Sequence, residues 1–127
     1  MTVRYNINDY IKGINGFGNQ FCDINYSAKL AANTHEEVTV PGSAPMGGLG
    51  STVNAFVAVI TSDTAGVFVA RNATAIVPAG GTFGATTSCL LPTGEPFCRV
   101  VFFGDTLSFV ATSDNSNVCV EFFAASV

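Results

Sequence analysis

His35 is the only histidine in the chain, so any Ser–His–Asp or Cys–His relay would have to pass through it. It stands just before Glu36-Glu37 at the mouth of a short alternating run, where polar residues meet solvent. It reads as a surface or hydrogen-bonded structural histidine. No Gly-x-Ser-x-Gly elbow surrounds any serine, so the strained turn that exposes a serine nucleophile is missing. Glu36 and Glu37 are neighbours on a strand and point to opposite faces, which denies them the facing geometry of an acid–base pair. Asp63-Thr64-Ala65 and Asp105-Thr106-Leu107 both lack the glycine that would complete an Asp-Thr-Gly protease motif. The expectation is a chain without catalytic residues.

Metal and cofactor chemistry meets the same obstacle. Cys22, Cys89, Cys98 and Cys119 show neither the two-residue nor the four-residue spacing of zinc or redox motifs. They read as buried free thiols, with a Cys89–Cys98 disulfide as the alternative that spacing leaves open. Gly13, Gly16 and Gly18 have no lysine after them, unlike a phosphate-binding loop. No metal and no cofactor is implied. Asn25-Tyr26-Ser27 and Asn72-Ala73-Thr74 fit the glycosylation sequon, which carries meaning only behind a secretory signal.

Composition points away from several partners. The 127 residues hold 5 Lys and Arg against 9 Asp and Glu, a net charge of −4, so the basic stripe that neutralises phosphates is absent and nucleic acid is not an expected partner. No apolar run of about 18 residues offers a membrane span. Met1-Thr2-Val3-Arg4-Tyr5-Asn6 lacks the basic patch and apolar run of a signal peptide, which predicts synthesis and folding in a cytoplasm. Charged residues make up 11% of the chain and hydrophobic ones 48%, whereas soluble domains carry roughly 25% charge. A single small domain so poor in charge is expected to hide surface against other subunits.

The elements that would position these residues change character near residue 34. Residues 1–33 are rich in Asn and Gly and are predicted to form an extended N-terminal arm. Ile7, Tyr10, Ile11 and Ile14 share one helical face, but Gly13 and Gly16 limit any helix to a short turn over 8–12. Ile7, Tyr10, Ile11, Phe17, Phe21 and Tyr26 are the candidate interface residues. They can fold back over their own domain or reach onto adjacent subunits, and the second is the reading taken forward.

From residue 34 to 127 short apolar runs alternate with turns. Strands are predicted over Thr34–Val40, Val53–Thr61, Val67–Arg71, Thr74–Val77, Thr86–Leu91, Cys98–Phe103, Thr106–Thr112 and Val118–Ala124, with 53–61 and 67–71 joined as a hairpin. Val53–Thr61 is apolar almost throughout, as in a strand buried on both faces. In the last strand Val118, Val120, Phe122 and Ala124 share one face, and Cys119, Glu121 and Phe123 the other. About eight such strands with no long helical segment predict an all-β fold, an antiparallel β-sandwich or jelly roll.

A second line of inference starts from the order of segments: Phe21-Cys22-Asp23-Ile24-Asn25-Tyr26-Ser27-Ala28-Lys29-Leu30-Ala31-Ala32-Asn33-Thr34, then Val38-Thr39-Val40-Pro41. There follow Val67-Phe68-Val69-Ala70-Arg71-Asn72-Ala73-Thr74-Ala75 with Val77-Pro78, the strand Ser88 to Pro92, Arg99-Val100-Val101, Gly104-Asp105-Thr106 and Val118–Phe123. Over roughly residues 17–124 this order resembles small virion structural proteins encoded near the capsid genes of tailed bacteriophages. It departs from them at Cys89-Leu90-Leu91 and Cys98, where polar residues are commoner. The resemblance implies a jelly-roll or related sandwich and a non-enzymatic capsid decoration or cement subunit on the virion surface. Its partners would be the major capsid protein and sister copies in a dimer or trimer, with no membrane. A receptor- or carbohydrate-binding tip of a head fibre, using Asp114-Asn115-Ser116-Asn117, is the alternative, and a tail or connector subunit a further one.

Overall fold

In the computed structural model, residues 5–6, 24–41 and 54–126 are described. They form β1 (Tyr5–Asn6), β2 (Ile24–Leu30), β3 (Glu36–Thr39), β4 (Ala55–Ser62), β5 (Val67–Arg71), β6 (Ser88–Leu90), β7 (Phe97–Phe102), β8 (Thr106–Ala111) and β9 (Ser116–Ser126). There is no helix among the described residues. One sheet runs β2-β9-β4-β7, with β1 lying parallel against the far end of β9; the other runs β3-β8-β5-β6.

The antiparallel partners fall in a simple series: β2 with β9, β3 with β8, β4 with β7 and β5 with β6. The chain is thus one long hairpin whose tip lies between β5 and β6, rolled so that successive pairs land alternately on the two sheets. Pairing of β4 with β9 and of β5 with β8 closes the roll. This wiring is that of a jelly roll, and the fold is the all-β antiparallel sandwich expected.

Alternation places the core. Phe56, Ala58 and Ile60 of β4 and Val118, Val120, Phe122 and Ala124 of β9 point between the sheets, where they meet Val67, Leu107 and Phe109 of the opposite sheet. Phe56 and Phe122 are fully buried, with their rings edge to face at 5.8 Å. Each such side chain contributes about 1.5–3 kcal/mol by leaving water.

Three expectations are corrected. Ile24–Leu30, assigned above to the arm, is a full strand of the first sheet, because Leu30 is buried in the core and Tyr26 lies on the Phe122 ring. The sandwich therefore begins at Ile24 rather than Thr34. Residues 7–23, including the helical turn over 8–12, lie outside the described residues. Thr74–Val77 is not a strand. It packs on Ala70 and Val110 over the outer face of the second sheet, and its backbone is held by side chains: Ala75 N donates to Ser108 Oγ at 3.0 Å and Ile76 N to Ser88 Oγ at 2.9 Å. Nor are β4 and β5 a hairpin; residues 62–66 carry the chain from one sheet to the other.

That crossing needs Gly66, whose φ is +85° and where a Cβ would collide with Thr112 Oγ1. Gly104 also has a positive φ, +87°, but open space around it. Gly66→Ala is therefore expected to cost about 2 kcal/mol or more, and Gly104→Ala nearer 1 kcal/mol. Denaturant unfolding of the two variants measures the difference; equal losses would remove the steric part of the argument.

Candidate protein-interaction face

The two ends of the sandwich differ in chemistry. At one end residues 31–35, 62–66, 91–96 and 112–115 meet and bond to one another. Asp63 accepts from Asn117 N at 2.9 Å and Asn117 Nδ2 at 2.6 Å, while Asp63 N donates to Asn117 O. Ala32 N donates to Asp114 Oδ1 at 2.8 Å, and the buried Ser116 donates through Oγ to Ser113 O. The Asp114–Asn117 cluster, the candidate sugar-binding loop of the sequence reading, thus spends most of its polar groups internally. The Asn117 side-chain amide and then its backbone N–H hold the Asp63 carboxyl below the ordinary carboxylate value, with a smaller contribution from Lys29.

The opposite end is built from residues 72–87, the 103–105 turn, and the chain where it leaves at Pro41 and returns at Asn54. Val40 N donates to Asp105 O, Gly104 N to Val40 O and Phe103 N to Asn54 O. Asn72, in the left-handed region at φ 56°, joins this set. Its N–H donates to Thr106 O, its Nδ2 to Asp105 Oδ1, and its Oδ1 accepts from Thr106 N. Asp105 Oδ2 accepts from Phe102 N at 3.0 Å and stands 3.7 Å from Arg71 Nη1. With these groups bonded among themselves, apolar side chains face outward. Phe102 and Phe103 are about half exposed.

The chain between β5 and β6 extends this apolar character. Ala73, Ala75 and Val77 pack on Ala70 and Val110, covering the outer face of the second sheet. His35 Nε2 donates to Ala75 O at 2.6 Å, so the sole candidate for a catalytic base is a clip on this segment. Beyond Val77 the chain projects: every residue from Pro78 to Thr87 is exposed, and Phe83 is wholly so. Ile76 and Leu90 are exposed as well. No Asp, Glu, Lys, Arg or His occurs between Arg71 and Glu95. Large apolar groups left exposed on a stretch that carries no charge of its own are the usual mark of a protein-contact surface.

Of the interface candidates, Tyr26 lies on β2, partly exposed, its ring edge to face with Phe122 at 5.9 Å. Ile7, Tyr10, Ile11, Phe17 and Phe21 lie outside the described residues, as does Cys22. The other cysteines are free thiols: Cys89 is exposed, contrary to the buried reading, and Cys98 and Cys119 are partly covered. Burial pushes the Cys98 thiol up, against an opposing pull from Arg99. Sequence reasoning missed the projecting Phe83 surface. Its signal is the long charge-free stretch from Asn72 to Gly94, which composition divides between two strands and their turns. Among the described residues no three His, Cys, Asp or Glu side chains stand together as metal ligands would. No family model, curated protein or solved structure matches the chain.

The Asp63 contact carries a pH signature. Its folded value lies below the ordinary 3.8, so its contribution is complete above that value and is lost as pH falls below it, toward the depressed folded value. Asp63→Asn should flatten the acid limb of stability below about pH 4, read as melting temperature against pH. An unchanged acid limb would show that the contact does not anchor this end.

Proposed function

We propose that this chain is a non-enzymatic structural subunit of a virion, a decoration or cement protein that binds the major capsid protein lattice. The observation that carries the reading is the set of large apolar side chains left exposed, Phe83, Phe102 and Phe103 with Ile76 and Leu90. A solitary soluble domain gains nothing from such a surface; a subunit docked on a protein lattice buries it. The jelly-roll wiring is in keeping with this, since viral shell proteins use it. Lectins and cupins use it too, so the fold narrows the choice without making it.

A glycan-binding tip fits less well. The loops at the polar end have bonded their carboxylates and amides to one another, and the chain has no tryptophan to stack on a sugar. Attachment through the apolar end acts by mass action. A subunit that binds the mature shell and not its precursor stabilises that state by RT ln(1 + [L]/Kd) per site, and dimeric or trimeric copies add avidity. On this reading the protein is made in the host cytoplasm and resides on the capsid surface.

The test is addition of the purified protein to shells that lack it, with copy number per particle as the readout. Hundreds of copies support a lattice subunit; a dozen or fewer would indicate a tail or vertex component instead. Phe83→Ser together with Phe103→Ser should lower shell affinity at least about tenfold, since exposed aromatic anchors of this kind commonly contribute 1.4 kcal/mol or more. The melting temperature should stay within a few degrees, because neither side chain is in the core. Absence of shell binding, or binding to a glycan array, would overturn the reading.

A further inference from the structure

The two sheets part along one side of the molecule. There β7 is the outermost strand of the first sheet and β6 that of the second. A cleft of about 210 Å³ opens between them, floored by Ile60, Val69, Val101 and Leu107. Its volume is that of about seven liquid waters. It admits one short chain or ring and is too small for a further strand.

Strand alternation turns two arginines toward this gap. On β7, Phe97 and Val101 pack into the core, and Arg99 stands between them on the same face. On β5, Val67 and Val69 are core residues, and Arg71 continues their row. Both arginines line the cleft, together with Cys89, which pairs with Val69. No Asp or Glu lines it. The chain is acidic overall, with a net charge of −4. Yet two of the three Lys and Arg among the described residues stand at this one opening.

Contacts within the fold use few of the five N–H donors that each guanidinium carries. Arg99 donates to Cys98 O at 2.8 Å and lies 3.7 Å over the Phe97 ring, and among the described residues it has no carboxylate within ion-pair reach. Arg71 stands 3.7 Å from Asp105 Oδ2, an oxygen that already accepts from Phe102 N. At that length, with the Arg71 side chain 55% exposed, the ion pair contributes little.

We propose that this cleft binds a small amphipathic carboxylate. Its apolar body lies between the sheets against Val69, Val101 and Leu107, and its carboxyl group meets Arg71 and Arg99 at the mouth. The guanidinium fork matches a carboxylate through paired N–H donors. The floor selects for the other half of the molecule: a bare inorganic anion leaves the apolar side chains uncovered, and a neutral chain leaves both guanidinium groups unanswered.

Titration calorimetry of the full-length chain with octanoate tests the site, with acetate and 1-octanol as the two half-ligands. Saturable octanoate binding is expected, with each half-ligand at least about tenfold weaker. Arg71→Gln and Arg99→Gln should each weaken octanoate at least about fivefold. Lys29→Gln, which removes the same charge from the opposite edge of the first sheet, should leave it unchanged. No saturable binding, octanol binding as tight as octanoate, or a loss in Lys29→Gln equal to that in the arginine variants would overturn the proposal. A second measurement uses the unaltered protein. Saturating octanoate should slow alkylation of Cys89 at least about fivefold relative to Cys119, which lies outside the cleft. An unchanged ratio puts the bound molecule elsewhere and equally overturns the site.

Discussion

Strand β4 carries apolar side chains on both faces, with Phe123 of β9 extending its outer patch, and a strand of that kind is stable only inside a sheet that is covered above and below. Placing β4 and β9 side by side at the centre of one sheet satisfies the inner faces through the shared core and gives the outer faces a common patch to hide. The remaining strands follow from this. With β9 at β4's one edge, β7 takes the other, and β2 takes the free edge of β9. Each of the connecting strands β3, β5, β6 and β8 then falls on the opposite sheet, because a chain this tightly connected passes across the core after every strand from β2 to β5 and again from β6 to β9.

Much of this was legible in the residues. The runs at Ala55–Ser62, Val67–Arg71, Thr106–Ala111 and Ser116–Ser126 announce themselves through Val, Phe and Ile content and the turns that bound them. The division of Val118, Val120, Phe122 and Ala124 from Cys119, Glu121 and Phe123 is the one the sheet adopts. β2 was legible as well. Ile24, Tyr26, Ala28 and Leu30 alternate with Asn25, Ser27 and Lys29, a clean period of two masked by the Asn- and Gly-rich stretch before it. What could not be read was pairing. Thr74–Val77 has strand composition, yet it lies over the outer face of the second sheet, where Ala75 and Val77 pack on Ala70 and Val110 instead of on a strand edge. The crossing at 62–66 has the length of a hairpin turn, and only the demands of the sheets on either side make it a bridge between them.

The split between a polar and an apolar end was hidden for a related reason. Asp63, Asp114 and Asn117 are scattered in sequence and converge only when the turns after β4 and β8 are brought together. In isolation Asp114-Asn115-Ser116-Asn117 looks like a solvated ligand loop. In the fold it closes the sandwich. The charge-free stretch from Asn72 to Gly94 has the opposite history. It reads as ordinary strand and turn, but its middle is left without a sheet to join and carries Phe83 into solvent.

The few charged residues also explain which surface remains for a partner. A sandwich must guard its outermost strands against pairing with other chains. β3 does so with Glu36 and Glu37, β2 with Lys29, and β7 with Arg99, whose guanidinium lies 3.7 Å over the Phe97 ring. β6 has only Ser88, Cys89 and Leu90. It is short, which limits the hazard, but it is also the edge that adjoins the projecting 72–87 segment. The unguarded edge, the exposed Leu90 and the uncharged segment therefore meet on one side of the molecule. With the outer face of the second sheet covered by residues 73–77, this side carries the exposed apolar groups Ile76, Phe83 and Leu90.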